Sequence, residues 1–268
     1  MGRLRVLLTG ASGFLGAYLV AELEQRTVEC VTAGRSGADL LLDLADPEAI
    51  REAVRLARPD RVLHAAALSS LAGCEAAPEQ AAAVNEVAAG VLAEAVGGAL
   101  LFVSTDLVFD GDGAPYRASD PPRPRGVYGR TKAAGEERVR QAGGRVVRVP
   151  LLFGRSLDGR RGATDMIRLA REPVVLFTNE TRTPLHARDA ARSLVEQALG
   201  ELGPGILQLT GPERLSRYEL GRRFVAQVGL DPERLVPGEC RDPLRPRDVS
   251  LVSDWSCGRS LEAALAES

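Results

Sequence analysis

An α/β fold built on a doubly wound parallel sheet is what this sequence predicts, and three observations predict it. Short apolar runs of strand length alternate with helix-length segments through roughly the first 150 residues, the pattern of a parallel sheet with helices on both faces. The first run passes directly into Thr9-Gly10-Ala11-Ser12-Gly13-Phe14-Leu15-Gly16, a glycine turn opening a helix. Small or polar residues then close the later strands, Ala65 to Ala67 and Ser104 to Asp106, on the sheet edge where such folds bind ligands. Together they describe a Rossmann-type sheet followed by a smaller C-terminal lobe.

In chain order, Leu4-Arg5-Val6-Leu7-Leu8 reads as a buried strand, and the helix after the turn runs to about Arg26. Glycines let the backbone turn sharply and approach a pyrophosphate, whose charge meets free N–H groups at the positive helix end. Gly10, Ser12, Gly13, Phe14, Leu15 and Gly16 are therefore expected to hold a dinucleotide. The second strand, 28–33, ends in Gly34-Arg35-Ser36. An acidic side chain there would suit a free ribose 2′-hydroxyl, whereas an arginine suits a 2′-phosphate, so Arg35 predicts NADP(H) in preference to NAD(H). Asp43 and Leu44 follow Leu40-Leu41-Leu42 where the next loop can touch the adenine. A helix over 47–57 leads to strand 61–67, whose last residues Ala65, Ala66 and Ala67 leave room for a flat ligand; His64 reads as a core histidine. A helix over 79–96, with Asn85 inside it, precedes a strand over 100–103 that delivers Ser104, Thr105 and Asp106 to the same edge. The Pro/Gly/Asp-rich stretch 110–125 is a surface loop bordering that edge. A helix over 127–142 and a strand over 145–149 bring the count to five or six parallel strands. Residues 1–154 are assigned to the dinucleotide-binding domain and 155–268 to an interleaved substrate lobe, with helix 187–200 returning to the main sheet and a last helix from about Ser260.

Lys132 is the one lysine among 34 basic residues, the other 33 being arginine. A guanidinium would carry the same charge, so charge alone does not explain an amine at this position. Tyr128 stands four residues earlier, which on a helix places phenol and ammonium one turn apart on one face. An ammonium stabilises phenolate and lowers a reference pKa of about 10, bringing the phenol into the range of proton transfer with a carbonyl or an alcohol.

The rest of the composition excludes several classes. Net charge is −2, with 34 basic and 36 acidic residues interspersed, so nothing points to nucleic acid or an anionic membrane. No run approaches the roughly 20 apolar residues of a membrane span, and the N-terminus lacks the features of a signal peptide. Cys30, Cys74, Cys240 and Cys257 form no CxxC pair, and His64 and His186 are the only histidines, so neither a metal site nor a disulfide framework is expected. The cytoplasm is the expected compartment.

With these residues in place, the chain resembles the extended short-chain dehydrogenase/reductases, and among them the dTDP-4-dehydrorhamnose reductase family. The motifs are TGASGFLG at 9–16, HAAA at 64–67, VN at 84–85, STDLVFDG at 104–111, PY at 115–116, VYGRTKAAGE at 127–136, RVPLLFG at 148–154 and RPRDVSL at 245–251. The resemblance implies that Tyr128 donates a proton, that Lys132 binds the nicotinamide ribose and lowers the Tyr pKa, and that Thr105 hydrogen-bonds the substrate carbonyl. Hydride from the nicotinamide would then reduce the 4-keto group of a nucleotide-linked sugar held by Thr105, Asp106 and the residue at Leu151. The resemblance admits a homodimer. Two departures stand out: Leu107 occupies a position where the family carries Tyr, and Leu151 one where it carries an aromatic that helps hold the sugar. Leu107 also replaces the acid that 4,6-dehydratases use, which excludes dehydration and leaves epimerisation open. The regulatory beta subunit of methionine adenosyltransferase shares PYR at 115–117, RVPLLFG and RPR at 245–247, so a non-catalytic, partner-binding role is the reading from another class.

Overall fold

The computed structural model describes residues 3–156, 162–201, 203–253 and 258–268. Cys257, noted above, lies outside them. The first half runs β1 (Leu4–Thr9), α1 (Phe14–Glu24), β2 (Val28–Gly34), β3 (Leu40–Leu41), α2 (Pro47–Ala57), β4 (Arg61–His64), α3 (Leu71–Ala76), α4 (Pro78–Ala82), α5 (Ala88–Val96), β5 (Leu100–Thr105), α6 (Val127–Gln141) and β6 (Arg145–Val149). The second half adds β7 (Leu152–Phe153), α7 (Ala163–Leu169), β8 (Val174–Phe177), β9 (Thr181–Arg182), β10 (Leu185–His186), α8 (Ala187–Leu199), β11 (Gly205–Gln208), β12 (Leu215–Ser216), α9 (Arg217–Val228), β13 (Leu235–Gly238) and α10 (Leu261–Ala266).

Seven strands form the central sheet in the order β11-β6-β5-β4-β1-β2-β3, and every pair in it is parallel. The sheet separates two apolar layers. On one side α1 and α8 bury Leu19, Leu23, Leu194 and Val195 against Val6, Leu8 and Leu63; on the other, α2 and α5 bury Ile50 and Leu92 against Leu7, Val62 and Phe102. Continuous apolar strands such as Leu4–Thr9 follow from this coverage of both faces. Helix α2 shows how local sequence sets its ends: Asp46 accepts from the Glu48 and Ala49 amides, Pro47 opens the helix, and Arg58 closes it in the left-handed region at φ 43°.

The sequence reading differs from the structure at two strands. Leu40–Leu41 forms a two-residue strand beside β2, too short to carry a pattern of its own. Gly205–Gln208, assigned above to the lobe, pairs with β6 and is the seventh strand of the main sheet; only its pairing register with Arg145–Arg148 identifies it. The helix expected over 79–96 is also interrupted, because Ala83–Val87 forms a π-helical turn. The lobe has its own core of Phe153, Ile167, Leu176, Phe224 and Leu261. Loop 110–125 is tied to the C-terminal segment: Tyr116 exchanges backbone hydrogen bonds with Ser250 and Val252, and the Gln208 side-chain amide donates to both Tyr116 O and Val252 O.

Candidate active site

The glycine turn leaves no room for side chains. Gly10 has φ 83°, and a Cβ on it would lie 2.6 Å from the Ala66 nitrogen; a Cβ on Gly16 would lie 1.9 Å from Gly10 O. Backbone therefore meets backbone where β1 passes into α1 beside the end of β4, and the N-terminus of α1 has no side-chain cap. Such an end presents amide N–H groups and a positive dipole. Above it opens a cavity of about 480 Å³. Gly10, Ser12, Gly13, Phe14, Leu15 and Gly16 line one wall, Ala65, Ala66 and Ala67 another, and Arg35, Asp43 and Leu44 one end. Lys132 and Tyr128 line it as well. A cradle that a Cβ would fill, an uncapped helix end and a slot floored by alanines fit a dinucleotide. Gln80 and Val84 also reach the cavity; Val84 belongs to the VN motif at 84–85, whereas no motif marked Gln80. They arrive beside the π-helical turn, where the buried Asn85 accepts from Leu68 N at 2.8 Å and donates to Leu68 O at 3.0 Å, fixing the strand exit that follows Ala67.

Helix α6 places Tyr128. Its N-cap is Gly126, which offers no side chain; Glu75 from α3 supplies the acceptor instead, at 2.6 Å from Val127 N. A Cβ on Gly129 would lie 2.2 Å from Leu107 O, so the first turn of the helix is pressed against the segment carrying Thr105 and Asp106. The half-buried Tyr128 phenol is held above its ordinary pKa by burial and by the Asp106 carboxylate, while the neighbouring Thr105 hydroxyl acts the other way.

Lys132 departs from the expected tuning role. Its amine donates to Val103 O at 2.7 Å and sits 3.7 Å from the centre of the Phe102 ring. The side chain is 2% exposed, and burial pushes its pKa down to about 7 against the opposing pull of Glu136. The phenol is therefore not lowered by an ammonium in this structure. Spacing by four placed both residues on the cavity, as expected, but the sheet carbonyl at Val103 competes for the amine. His64 is buried in the core as the sequence suggested, with Nδ1 2.6 Å from Thr9 Oγ1, but it is not fully satisfied, since Nε2 has no hydrogen-bond partner among the described residues; burial, reinforced by Lys132, pushes its pKa down to about 3. The predicted sugar contacts divide. Thr105 and Asp106 meet Tyr128 beyond the cavity lining, whereas Leu151 packs against the lobe's core and Leu152 faces the cavity.

Residues 4–259 match the family described as the RmlD substrate binding domain. The chain belongs to this family. Among its relatives, a dTDP-4-dehydrorhamnose reductase of Mycolicibacterium smegmatis is 34% identical over 97% of this chain and 80% of its own length. A methionine adenosyltransferase 2 subunit beta of Danio rerio is 30% identical over 87% of this chain and 76% of its own length. In fold, the chain matches a dTDP-4-dehydrorhamnose reductase of Bacillus anthracis solved in complex with NADP, with a TM-score of 0.86, 24% identity and coverage of 98% of both chains.

In this RmlD-family chain the lobe brings charge to the far side of Tyr128. Arg182 Nε lies 3.6 Å from Asp106 Oδ2, and Arg245 holds the buried Glu180 through two contacts, Nη2 to Oε2 measuring 2.9 Å. Arg217, at the start of α9, is depressed below the ordinary guanidinium pKa, first by burial, with Arg182 and Arg245 adding to the effect. It has no side-chain hydrogen bond or ion pair among the described residues. Three guanidiniums thus face two carboxylates. The sequence marked only Arg245, within RPRDVSL at 245–251; Arg182 and Arg217 are hidden among 33 arginines.

Proposed function

We propose that this protein is a short-chain dehydrogenase/reductase of the extended type that reduces the 4-keto group of a nucleotide-linked deoxysugar with NADPH. The observation that carries the reading is the convergence of Tyr128 and Thr105 on the edge of a dinucleotide-sized cavity, with Lys132 in its wall. The nicotinamide supplies hydride chemistry when bound. This chain's residues do the rest: Thr105 orients the substrate carbonyl, Tyr128 gives the carbonyl oxygen its proton, and the alanines at 65–67 shield the reacting face from water. Lys132 would leave Val103 O to take the nicotinamide ribose, and its supply of an N–H donor is what an arginine of different length and shape would misplace.

NADP(H) is preferred in this reading because Arg35 is exposed, lines the cavity end and has no ion pair among the described residues. Asp39, the acid four residues on, is engaged by Thr32 N and Oγ1, both at 2.8 Å, and does not line the cavity. The excess positive charge of Arg182, Arg217 and Arg245 supports a diphosphate-bearing substrate, and the relatives named for dTDP-4-dehydrorhamnose reduction support the sugar. Thiols at Cys30, Cys74 and Cys240, all free, fit a reducing cytoplasm.

The test is reduction of dTDP-4-keto-6-deoxyglucose followed by NADPH absorbance, beside calorimetric titration of both cofactors. NADPH is expected to bind more tightly than NADH. Arg35→Ala should weaken NADPH alone by about 10- to 100-fold, the size of a charge-assisted contact. Tighter binding of NADH would overturn the cofactor assignment. A second reading is favoured by the 30% identity to a methionine adenosyltransferase subunit. Absence of turnover together with co-purification of a synthetase would support it instead.

A further inference from the structure

Two glycines bracket Tyr128 at 126 and 129, and each leaves room for an oxygen from another element. A Cβ on Gly126 would lie 3.0 Å from Glu75 Oε1, and one on Gly129 would lie 2.2 Å from Leu107 O and 2.8 Å from Pro124 Cβ. Neither glycine has a positive φ, so close approach, not backbone conformation, is what requires the missing side chains. The first turn of α6 is therefore fixed at two points. Glu75 Oε1 accepts from Val127 N at 2.6 Å, and the Leu107 carbonyl, two residues after Thr105, closes on Gly129. Tyr128 lies between them.

Glu75 is exposed, and an exposed acid paired with another side chain contributes little. Its partner here is different in kind. The Val127 amide belongs to the first turn, where backbone N–H groups lack an intrahelical acceptor, and Gly126 at the N-cap offers no side chain. A carboxylate at that end makes a charge-assisted bond and meets the positive end of the helix dipole.

The helix that carries Glu75 is itself tied to the wall of the dinucleotide cavity. Leu68 and Ser69 line that cavity. Ser70 caps α3 by accepting from Gly73 N at 3.1 Å, and Cys74 Sγ donates back to Leu68 O at 3.1 Å. Leu68 is in turn held at both backbone polar atoms by Asn85. A helix of six residues is marginal alone, so these ties are what give the Glu75 carboxylate a fixed position.

We propose that Glu75 is a positioning residue for Tyr128: it takes its place from the cofactor wall through α3 and imposes it on the first turn of α6, setting the phenol relative to the bound nicotinamide. The proposal rests on the reductase reading above. Glu75 touches neither substrate nor cofactor in this account and acts only through the Val127 amide.

The test is a set of variants assayed for keto-sugar reduction, for NADPH binding by calorimetry and for exchange of the Val127 amide by NMR. Glu75→Ala should lower kcat by about 10- to 100-fold, the cost of a displacement approaching 1 Å, while KM for the sugar, the affinity for NADPH and the number of NADPH sites stay unchanged. Glu75→Gln keeps a carbonyl oxygen within reach and should restore most of the rate. Gly126→Ala presents a methyl group to the carboxylate in an extended conformation, φ −101°, that alanine adopts freely. It should slow the wild type and have no further effect in Glu75→Ala, because the contact it disturbs is already gone.

Wild-type kcat in Glu75→Ala overturns the proposal, as does a loss in Glu75→Gln equal to that in Glu75→Ala, or weakened NADPH binding with kcat intact. Full additivity of Gly126→Ala and Glu75→Ala overturns it too. The Val127 amide should exchange slowly in the wild type and in Glu75→Gln and faster in Glu75→Ala. If the wild type reduces no nucleotide keto sugar, the reductase reading fails, and this exchange measurement alone decides whether Glu75 holds the start of the tyrosine's helix.

Discussion

Two buried arginine–carboxylate pairs lie at or beside helix α6, and they are built to different standards. Glu136 on α6 receives two bonds from Arg148, Nη2 to Oε2 at 2.7 Å and Nε to Oε1 at 3.0 Å, and a third from Ser104 at 2.6 Å. Arg148 Nη1 reaches Ala118 O, and its guanidinium lies 4.9 Å from the Phe109 ring centre. Both partners are at most 2% exposed. Asp106 and Arg182, 4% and 6% exposed, stay 3.6 Å apart, and Asp106 Oδ2 has no hydrogen-bond partner among the described residues. The saturated pair holds α6 to β5 and β6 and has no spare valence for a ligand. The unsaturated pair keeps hydrogen-bonding capacity in reserve beside Tyr128. At similar burial, the two pairs differ in how completely their hydrogen bonds are made, and only the incomplete one can answer to a further partner.

Removing a partner from the saturated pair should produce the largest effect. Glu136→Gln leaves Arg148 charged and uncompensated, and stability should fall by about 3–5 kcal/mol. Asp106→Asn should cost less than about 1 kcal/mol, because Arg182 already donates to Thr181 O, Arg247 O and Pro246 O. Urea unfolding of the two variants compares them directly, and equal losses would erase the distinction.

Lys132 sharpens the comparison, since it is a buried cation whose local partners are a carbonyl and an aromatic ring. The unfolded chain keeps the Lys132 proton up to about pH 10.4, whereas in the folded chain the amine loses it near 7. Between those values the unfolded state binds more protons, so stability rises with pH. From pH 7 to 9 the contribution is about 2 kcal/mol, at roughly 1.4 kcal/mol per unit. Lys132→Met should flatten that part of the stability curve in urea titrations at the two pH values. A slope unchanged from wild type would mean that the amine is solvated.

The smallest effect belongs to a third pair on the same helix. Arg138 and Glu86 meet at 2.8 Å with side chains 47% and 24% exposed. Glu86→Gln should change the melting free energy by no more than about 1 kcal/mol, and less in high salt.

Much of this arrangement could be read in the sequence. The glycine turn, the small residues after the strands and the lone lysine one helical turn from Tyr128 each depend on local spacing, and the structure gathers them around one cavity. What was hidden depends on contacts distant in sequence. Arg182 and Arg217 carry no local signature among so many arginines, whereas Arg245 opens the RPRDVSL motif. Glu75 caps α6 from about 50 residues away, and nothing near Gly126 reveals its source. The same is true of Lys132: its helix spacing was legible, but its partner, Val103 O, belongs to a strand 29 residues upstream.

The return of the chain to β11 has a consequence for how this protein is made. Strand β6 is complete at Val149, but its outer neighbour is not synthesised until residues 205–208, after β7 to β10 and α7 and α8. Until then the nascent sheet ends in Arg145–Val149, an edge with open N–H and C=O groups and the apolar Val146, Val147 and Val149. Such an edge is a template for pairing with another chain. A fragment cut after the first 154 residues would keep that edge permanently, and so would aggregate rather than behave as an autonomous nucleotide-binding module.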